Sequence, residues 1–226
     1  MKHIVLINPN TSDATTAMMV GIARENLGPD MTIEGMTARR GAPMILDGNQ
    51  LAAAAAGVVE MGESVRHSAD GIIICAFGDP GIDELRSTLD IPVVGICHAS
   101  ILEASVDGRR FGIATVTPKL VDSFRAKVLE LGVEHLYTGT RLTAGDPLAL
   151  AADATALEDA LAVAVQQSLH DDGAEAVIIG GGPLGQAAEG LSRRFDAPVV
   201  APITSAVDLL MRQMRERSPE TGDERR

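Results

Sequence analysis

The chain reads as an α/β protein of two pseudo-symmetric lobes, each a parallel sheet flanked by helices, with a ligand cleft between them. Three observations predict this. Short continuous apolar runs rich in Ile and Val alternate with Ala- and Leu-rich stretches of helical length, the pattern of strands buried on both faces by crossover helices. Most of these runs end in Gly, Pro, Asn or Thr, at the strand ends where open α/β sheets bind ligands. The pattern also restarts. Strand ends at Asn8 and Thr115 are 107 residues apart, those at Cys75-Ala76 and Gly180-Gly181 are 105 apart, and a Pro-led strand follows in each half at Pro92 and Pro198.

Taken in order, residues 3–8 (HIVLIN) form the first buried strand. Asn10, Thr11, Ser12 and Asp13 offer side-chain oxygens to cap the Ala/Met-rich helix that runs to about 27. Residues 31–36 alternate like a second strand, 41–43 open a loop, and 49–67 is an Ala-rich helix of good intrinsic propensity. The run 71–75 (GIIIC) is a strand ending in AFGDPG, with a helix over 82–89; 91–96 is another strand, with a helix starting near Ala99. In the second half, strands are expected at 110–115, 176–180 and 198–202, and helices at 119–131, 155–170, 184–194 and 204–215. This divides the chain into a first lobe over 1–100, against which the last helix can pack back, a second lobe over 101–214, and a charged, turn-rich tail over 215–226.

Composition removes several function classes. A net charge of −12 and a pI near 4.8 oppose a phosphate backbone as partner, and one Tyr, four Phe and no Trp leave few platforms for bases. No apolar run approaches the roughly 20 residues of a membrane span. The N-terminus lacks the apolar region and cleavage site of a signal peptide, so a cytoplasmic location is expected. Two cysteines, Cys75 and Cys97, make no disulfide framework, and no zinc-ligand spacing occurs.

Four groups of strand-end residues are candidates for chemistry. Asn8, Asn10, Thr11 and Ser12 place amides and hydroxyls at a helix start, a site for a carboxylate or imide oxygen, or simply an N-cap with its turn. In CAFGDPG, Cys75 is a candidate acid/base or nucleophile, against the reading of a buried core thiol, while Ala76, Phe77, Gly78 and Asp79 form a turn that lets backbone approach a ligand. In GICHAS, Cys97 and His98 point to opposite faces if still on the strand, and His98 titrates near neutrality. Thr115, Val116 and Thr117 in TVTPK and Gly181, Gly182 and Pro183 in GGGPLG make the fourth group, whose threonines can hydrogen-bond a ligand oxygen. The triple glycine lacks both the Lys-Ser/Thr of a P-loop and the order of a dinucleotide fingerprint.

INPNTS at 7–12, FGDPG at 77–81, PVVGI at 92–96, FGIATVTP at 111–118, DGAEAVIIG at 172–180 and PVVAPITSAV at 198–207 together resemble the aspartate/glutamate racemase superfamily, in its hydantoin and allantoin racemase branch. The resemblance implies a cofactor-independent, homo-oligomeric isomerase whose small substrate carries carboxylate or imide/carbonyl oxygens. It implies proton exchange at the carbon next to a carbonyl by two opposed cysteines, because inversion needs a proton from the other side. It implies no metal.

The chain departs from that pattern at the two thiols. Where the resemblance places the first cysteine stands Ala76, with Cys75 one residue earlier; where it places the second stands Gly181; and His98 replaces a Glu. One step along a strand reverses side-chain direction. Either a bulge turns Cys75 into the cleft, or Cys97 or His98 serves as base, or the reaction needs a single proton-transfer step. Three functions stay open on these residues: a racemase or epimerase of a hydantoin-like or amino-acid-derived substrate, a sister lyase or hydrolase on a hydantoin- or malonate-like one, and a non-catalytic small-molecule binder.

Overall fold

A computed structural model describes residues 1–217. The first half contains β1 (Lys2–Asn8), α1 (Asp13–Glu25), β2 (Met31–Thr37), α2 (Gly48–Ser64), β3 (Gly71–Ile74), α3 (Ile82–Thr88), β4 (Val93–Gly95) and α4 (Ile96–Ala104). After a 3-10 turn at Val106–Gly108 come β5 (Phe111–Thr115), α5 (Val121–Glu130), β6 (Tyr137–Leu142), α6 (Pro147–Ala151), α7 (Ala154–His170) and β7 (Ala176–Ile179). A second 3-10 turn, Gly182–Leu184, leads into α8 (Gly185–Ser192), β8 (Val199–Val200) and α9 (Pro202–Arg217).

The strands form two parallel sheets of the same order, β2-β1-β3-β4 and β6-β5-β7-β8. Period-two alternation assigns each face its core. In the first sheet Val5, Ile7, Ile72, Ile74 and Val93 pack with Val58 of α2 and Leu85 of α3. In the second, Ala114, Val177, Ile179 and Val199 pack with α7 and α8 through Leu161, Val165, Ala188 and Leu191. The remaining faces, bearing Ile4, Leu6, Ile73 and Val94 on one sheet and Phe111, Ile113, Ile178 and Val200 on the other, belong to one continuous core with Ile96 and Ile101 of α4 and Val207 and Leu210 of α9. The two sheets are therefore joined through shared packing. Helix α9 follows the second sheet in sequence yet lies against α1, α4, β3 and β4; a Cβ at Gly71 would stand 3.0 Å from Leu210 Cδ1, so that glycine admits the close approach.

Local capping sets several helix starts. Ser12 Oγ accepts from the Thr15 N–H (3.2 Å), Asp47 from the Gln50 N–H (2.9 Å), and Asp153 from Thr155 and Ala156. Three details differ from the sequence reading. The strand β6 and the short helix α6 were not expected. Helix α4 begins at Ile96 rather than near Ala99, so Cys97 and His98 sit on its first turn, about 100° apart around its axis instead of on opposite strand faces. Helix α9 includes Arg215 and Arg217, so 215–217 are helical where a tail was expected; the rest of that expected tail, 218–226, lies outside the described residues. Among the described residues no helix is long and apolar enough to cross a membrane.

Candidate active site between the two sheets

The C-terminal ends of β1 and β3 meet those of β5 and β7 around one cavity. It has about 400 Å³ of empty space, part of it open to solvent. Its lining comes from both halves: Asn10, Met44, Ile45, Leu51, Ala76 and Phe77 from the first, Val116, Thr117, Leu120, Phe124, Gly180, Gly181, Gly182, Pro183 and Leu184 from the second.

The loop after β1 is built around Asn8. Its fully buried amide donates to the Ser12 carbonyl (3.2 Å) and Thr16 Oγ1 (2.9 Å), while its Oδ1 accepts from the Asn10 N–H (3.0 Å). Asn8 thus aims Asn10 rather than lining the cavity. Asn10 Oδ1 accepts from the Ile45 N–H (2.9 Å) and so ties down the loop carrying Met44 and Ile45. With that oxygen engaged, the Asn10 amide hydrogens are the side chain's remaining donors to the cavity. Thr11 holds the same loop by its N–H to the Ala42 carbonyl (3.0 Å), and Ser12 caps α1; neither reaches the cavity.

Thr115 plays the matching part in the second half. Its buried hydroxyl donates to the Gly180 carbonyl (2.8 Å) and lies 3.1 Å from Thr117 Oγ1, so it joins the β5 end to the glycine turn while Val116 and Thr117 form the wall. The glycines give the wall its shape. A Cβ at Gly182 would stand 2.9 Å from the Cys75 carbonyl oxygen and 3.0 Å from the Met19 sulfur; one at Gly181 would stand 3.0 Å from Leu184 Cγ.

Across from that turn, Ala76 and Phe77 line the cavity, and the Phe77 ring meets Phe124 of α5 edge-on, centroids 4.9 Å apart at 89°. Such a pair contributes about 0.5–1.5 kcal/mol beyond its buried area, here between the two halves of the chain. Gly78 (φ +128°) and Asp79 (φ +52°) turn the chain away behind them. Asp79 does not reach the cavity. Its buried carboxylate accepts from the Cys97 N–H (2.9 Å) and the His98 N–H (2.8 Å), capping α4 from eighteen residues upstream. Burial raises its pKa to about 6, against the opposing pull of those two N–H groups, Lys127 and Arg86.

The three proposed acid/base side chains lie elsewhere. Cys75 is fully buried in the shared core, and burial, with Asp79 nearby, holds its thiol protonated. Its neighbour Ala76, two residues past the end of β3, takes the place on the wall. Cys97 is likewise buried and its pKa raised by burial. His98 Nδ1 lies 3.3 Å from Arg86 Nη2 on the far side of α4, and burial, then Arg86, lowers its pKa. Of the sequence candidates, the structure brings Asn10, Ala76, Phe77, Val116, Thr117, Gly181, Gly182 and Pro183 to the cavity. Asn8, Thr11, Ser12, Gly78, Asp79 and Thr115 support it from behind.

The apolar wall of Met44, Ile45, Leu51, Leu120, Phe124 and Leu184 escaped the sequence reading. Leu120 and Phe124 carried a usable signal, being four apart where a helix follows a strand end. No ionisable side chain lines the cavity among the described residues, and no group of three or more His, Cys, Asp or Glu is placed to hold a metal ion among them.

Comparison with known proteins agrees with this architecture. A hydantoin racemase of Paenarthrobacter aurescens is 28% identical over 207 residues, spanning 90% of this chain and 87% of that one. One from Rhizobium meliloti is 27% identical over 208 residues, spanning 92% and 86%. The solved allantoin racemase of Klebsiella pneumoniae superimposes with a TM-score of 0.90 at 28% identity, covering 96% of this chain and 89% of its own. The family model for Asp/Glu/hydantoin racemases matches residues 4–210, so the chain belongs to the Asp/Glu/hydantoin racemase family.

Proposed function

We propose that the cavity is the active site of a racemase or epimerase that exchanges the proton on a carbon next to a carbonyl in a small, uncharged, hydantoin-like ring. The observation that carries this reading is the meeting of Ala76-Phe77 and Gly180–Gly182 across one cavity that also receives Asn10 and Thr117. An amino-acid zwitterion would leave water there without a counter-ion, which costs several kcal/mol per charge. A ring with amide or imide groups finds a donor for its oxygen in the Asn10 amide and an acceptor for its N–H in Thr117 Oγ1, whose own hydrogen is directed to Thr115 Oγ1, and its apolar substituent finds the Met44, Leu51 and Phe124 wall. The Asn10 amide then stabilises the enolate oxygen that develops when the proton leaves. With Ala76 and Gly181 at the wall and both thiols sealed in the core, in this reading the proton leaves through water to bulk solvent and a solvent proton returns through water on the opposite face, so that no charge other than the enolate stays in the cavity.

The test follows an enantiopure 5-alkylhydantoin in deuterated water by polarimetry and mass spectrometry. Loss of rotation with one deuterium at the stereocentre and no other mass change is expected. A second reading, a sister lyase or hydrolase on a hydantoin- or malonate-like substrate, is favoured by the absence of an opposed acid/base pair on the wall; ring opening or loss of carbon dioxide would select it. A ring that binds unchanged would select a binder. A cytoplasmic setting belongs to the same proposal, supported by two free cysteines. So does a homo-oligomeric state, supported by the family resemblance and tested by light scattering after size exclusion.

A further inference from the structure

We propose that Asp79 is a positioning residue for the reaction: its ionised carboxylate ties the turn carrying Ala76 and Phe77 to the N-terminus of α4, and the cavity is fully assembled only while that carboxylate keeps its charge. The inference rests on the proposed reaction for its activity readout, and on geometry for the rest.

The FGDPG turn is held from three directions. Phe77 is pinned edge-on against Phe124 from the other half of the chain. The Asp79 N–H returns to the Ala76 carbonyl at 2.9 Å, so the carboxylate and the cavity wall belong to one small loop. The two carboxylate oxygens each take one α4 N–H, at 2.9 and 2.8 Å. The space they occupy exists because residue 95 is glycine: a Cβ there would stand 2.5 Å from Asp79 Oδ2 and nearer still to Oδ1 and Cγ. The backbone of Asp79 adopts a left-handed conformation, φ +52°, that few residue types take readily. Nothing else in the turn caps α4, which has no side-chain cap from Gly95.

A proton takes one of the two lone-pair sites that the N–H groups leave free, and the oxygen that carries it becomes a neutral, weaker acceptor, so its hydrogen bond to α4 weakens on protonation. The surroundings leave that proton within reach of ordinary pH. Burial raises the pKa to about 6, while Arg86 from α3 and Lys127 from α5 work against burial. Lys127 is itself paired with Glu130 at 2.7 Å. Burial keeps Cys75 and Cys97 protonated well above neutrality. On α4, His98 is pushed toward its neutral form by burial and Arg86, so a His98 variant is needed to separate its titration from that of Asp79. On this proposal the acid limb of activity belongs to a residue that never touches substrate.

The experiment is a titration of the isotope-labelled protein from pH 4.5 to 7.5, read at the amide signals of Ala76, Phe77, Cys97 and His98, beside the pH profile of ring racemisation. The four amides are expected to share one midpoint near 6, and kcat/KM to fall about tenfold per pH unit below it. Asp79→Asn is expected to abolish both transitions and hold activity at the low-pH level throughout, with kcat lowered as well as KM raised. His98→Gln is expected to keep the midpoint. Ala76 and Phe77 amides that ignore the carboxylate, or a midpoint that survives Asp79→Asn, would overturn the inference. A shared amide midpoint in a protein that racemises no ring would leave it standing and remove the proposed reaction instead.

Discussion

Gly95→Ala is the sharpest single perturbation of this structure. Gly95 has an ordinary extended backbone, φ −102° and ψ 146°. By itself the substitution should stabilise the fold by about 0.4–1 kcal/mol, since alanine leaves the unfolded chain fewer states to lose. The added methyl, however, falls on the Asp79 carboxylate. Expelling that group breaks two hydrogen bonds to a charged acceptor, each worth about 1.5–3 kcal/mol. The net expectation is a loss of about 2–6 kcal/mol. At roughly 2–4 °C per kcal/mol for a chain of this size, Tm falls by about 4–22 °C. The assay is thermal and urea unfolding at pH 7 followed by circular dichroism. Asp79→Gly in the same chain provides the internal control, because glycine accepts the positive φ and removes the carboxylate. On that background Gly95→Ala should stabilise by about 0.4–1 kcal/mol, a coupling of about 3–6 kcal/mol in the double-mutant cycle. A loss below about 1 kcal/mol, or an equal loss with and without the carboxylate, would refute the steric argument.

Three further outcomes are expected. Asp79 binds its proton more tightly in the folded chain, with a pKa near 6, than in the unfolded one, near 4. Stability should therefore fall as pH rises from about 4 to 6, by up to ~3 kcal/mol from this group, and the difference between wild type and Asp79→Asn unfolding curves isolates it. Cys75→Ala should leave kcat within about twofold while lowering stability by about 1–2 kcal/mol for the lost packing, measured by steady-state racemisation and urea unfolding; a collapse of kcat would return the thiol to the mechanism. Introducing Ala76→Cys together with Gly181→Cys places two thiols on the cavity wall and should raise the rate of deuterium exchange by about 10²-fold, unless the Leu184 side chain, 3.0 Å from the new Cβ at 181, fails to give way.

Much of the fold was legible because its central strands are uninterrupted apolar runs. GIIIC and AVIIG cannot be placed anywhere except between two helical layers. The edge strand β6 was invisible for the opposite reason: YTGTRL pairs only with β5, is half-exposed along most of its length, and carries no apolar run. The start of α4 was misjudged because its cap comes from Asp79, a partner that local sequence does not reveal. The candidate site divided in the same way. Strand-end residues such as Asn10, Phe77, Thr117 and Gly181 followed from the rule that parallel sheets bind ligands at their C-terminal edge. Which of them face inward depends on side-chain direction one residue past a strand, and there Ala76 rather than Cys75 takes the wall. The apolar lining from Met44, Ile45 and Leu51 comes from a loop and a helix start folded over the sheet, a placement that only tertiary contacts decide.

The central claim is that the paired strand ends build one substrate site. A crystal structure with a bound 5-alkylhydantoin tests it most directly. The ring should lie between Ala76 and Gly181, one of its oxygens within hydrogen-bond distance of Asn10 Nδ2 or its N–H within reach of Thr117 Oγ1, and its alkyl group against Phe124. A ring bound outside this cavity, with Asn10 and Thr117 untouched, would contradict the account.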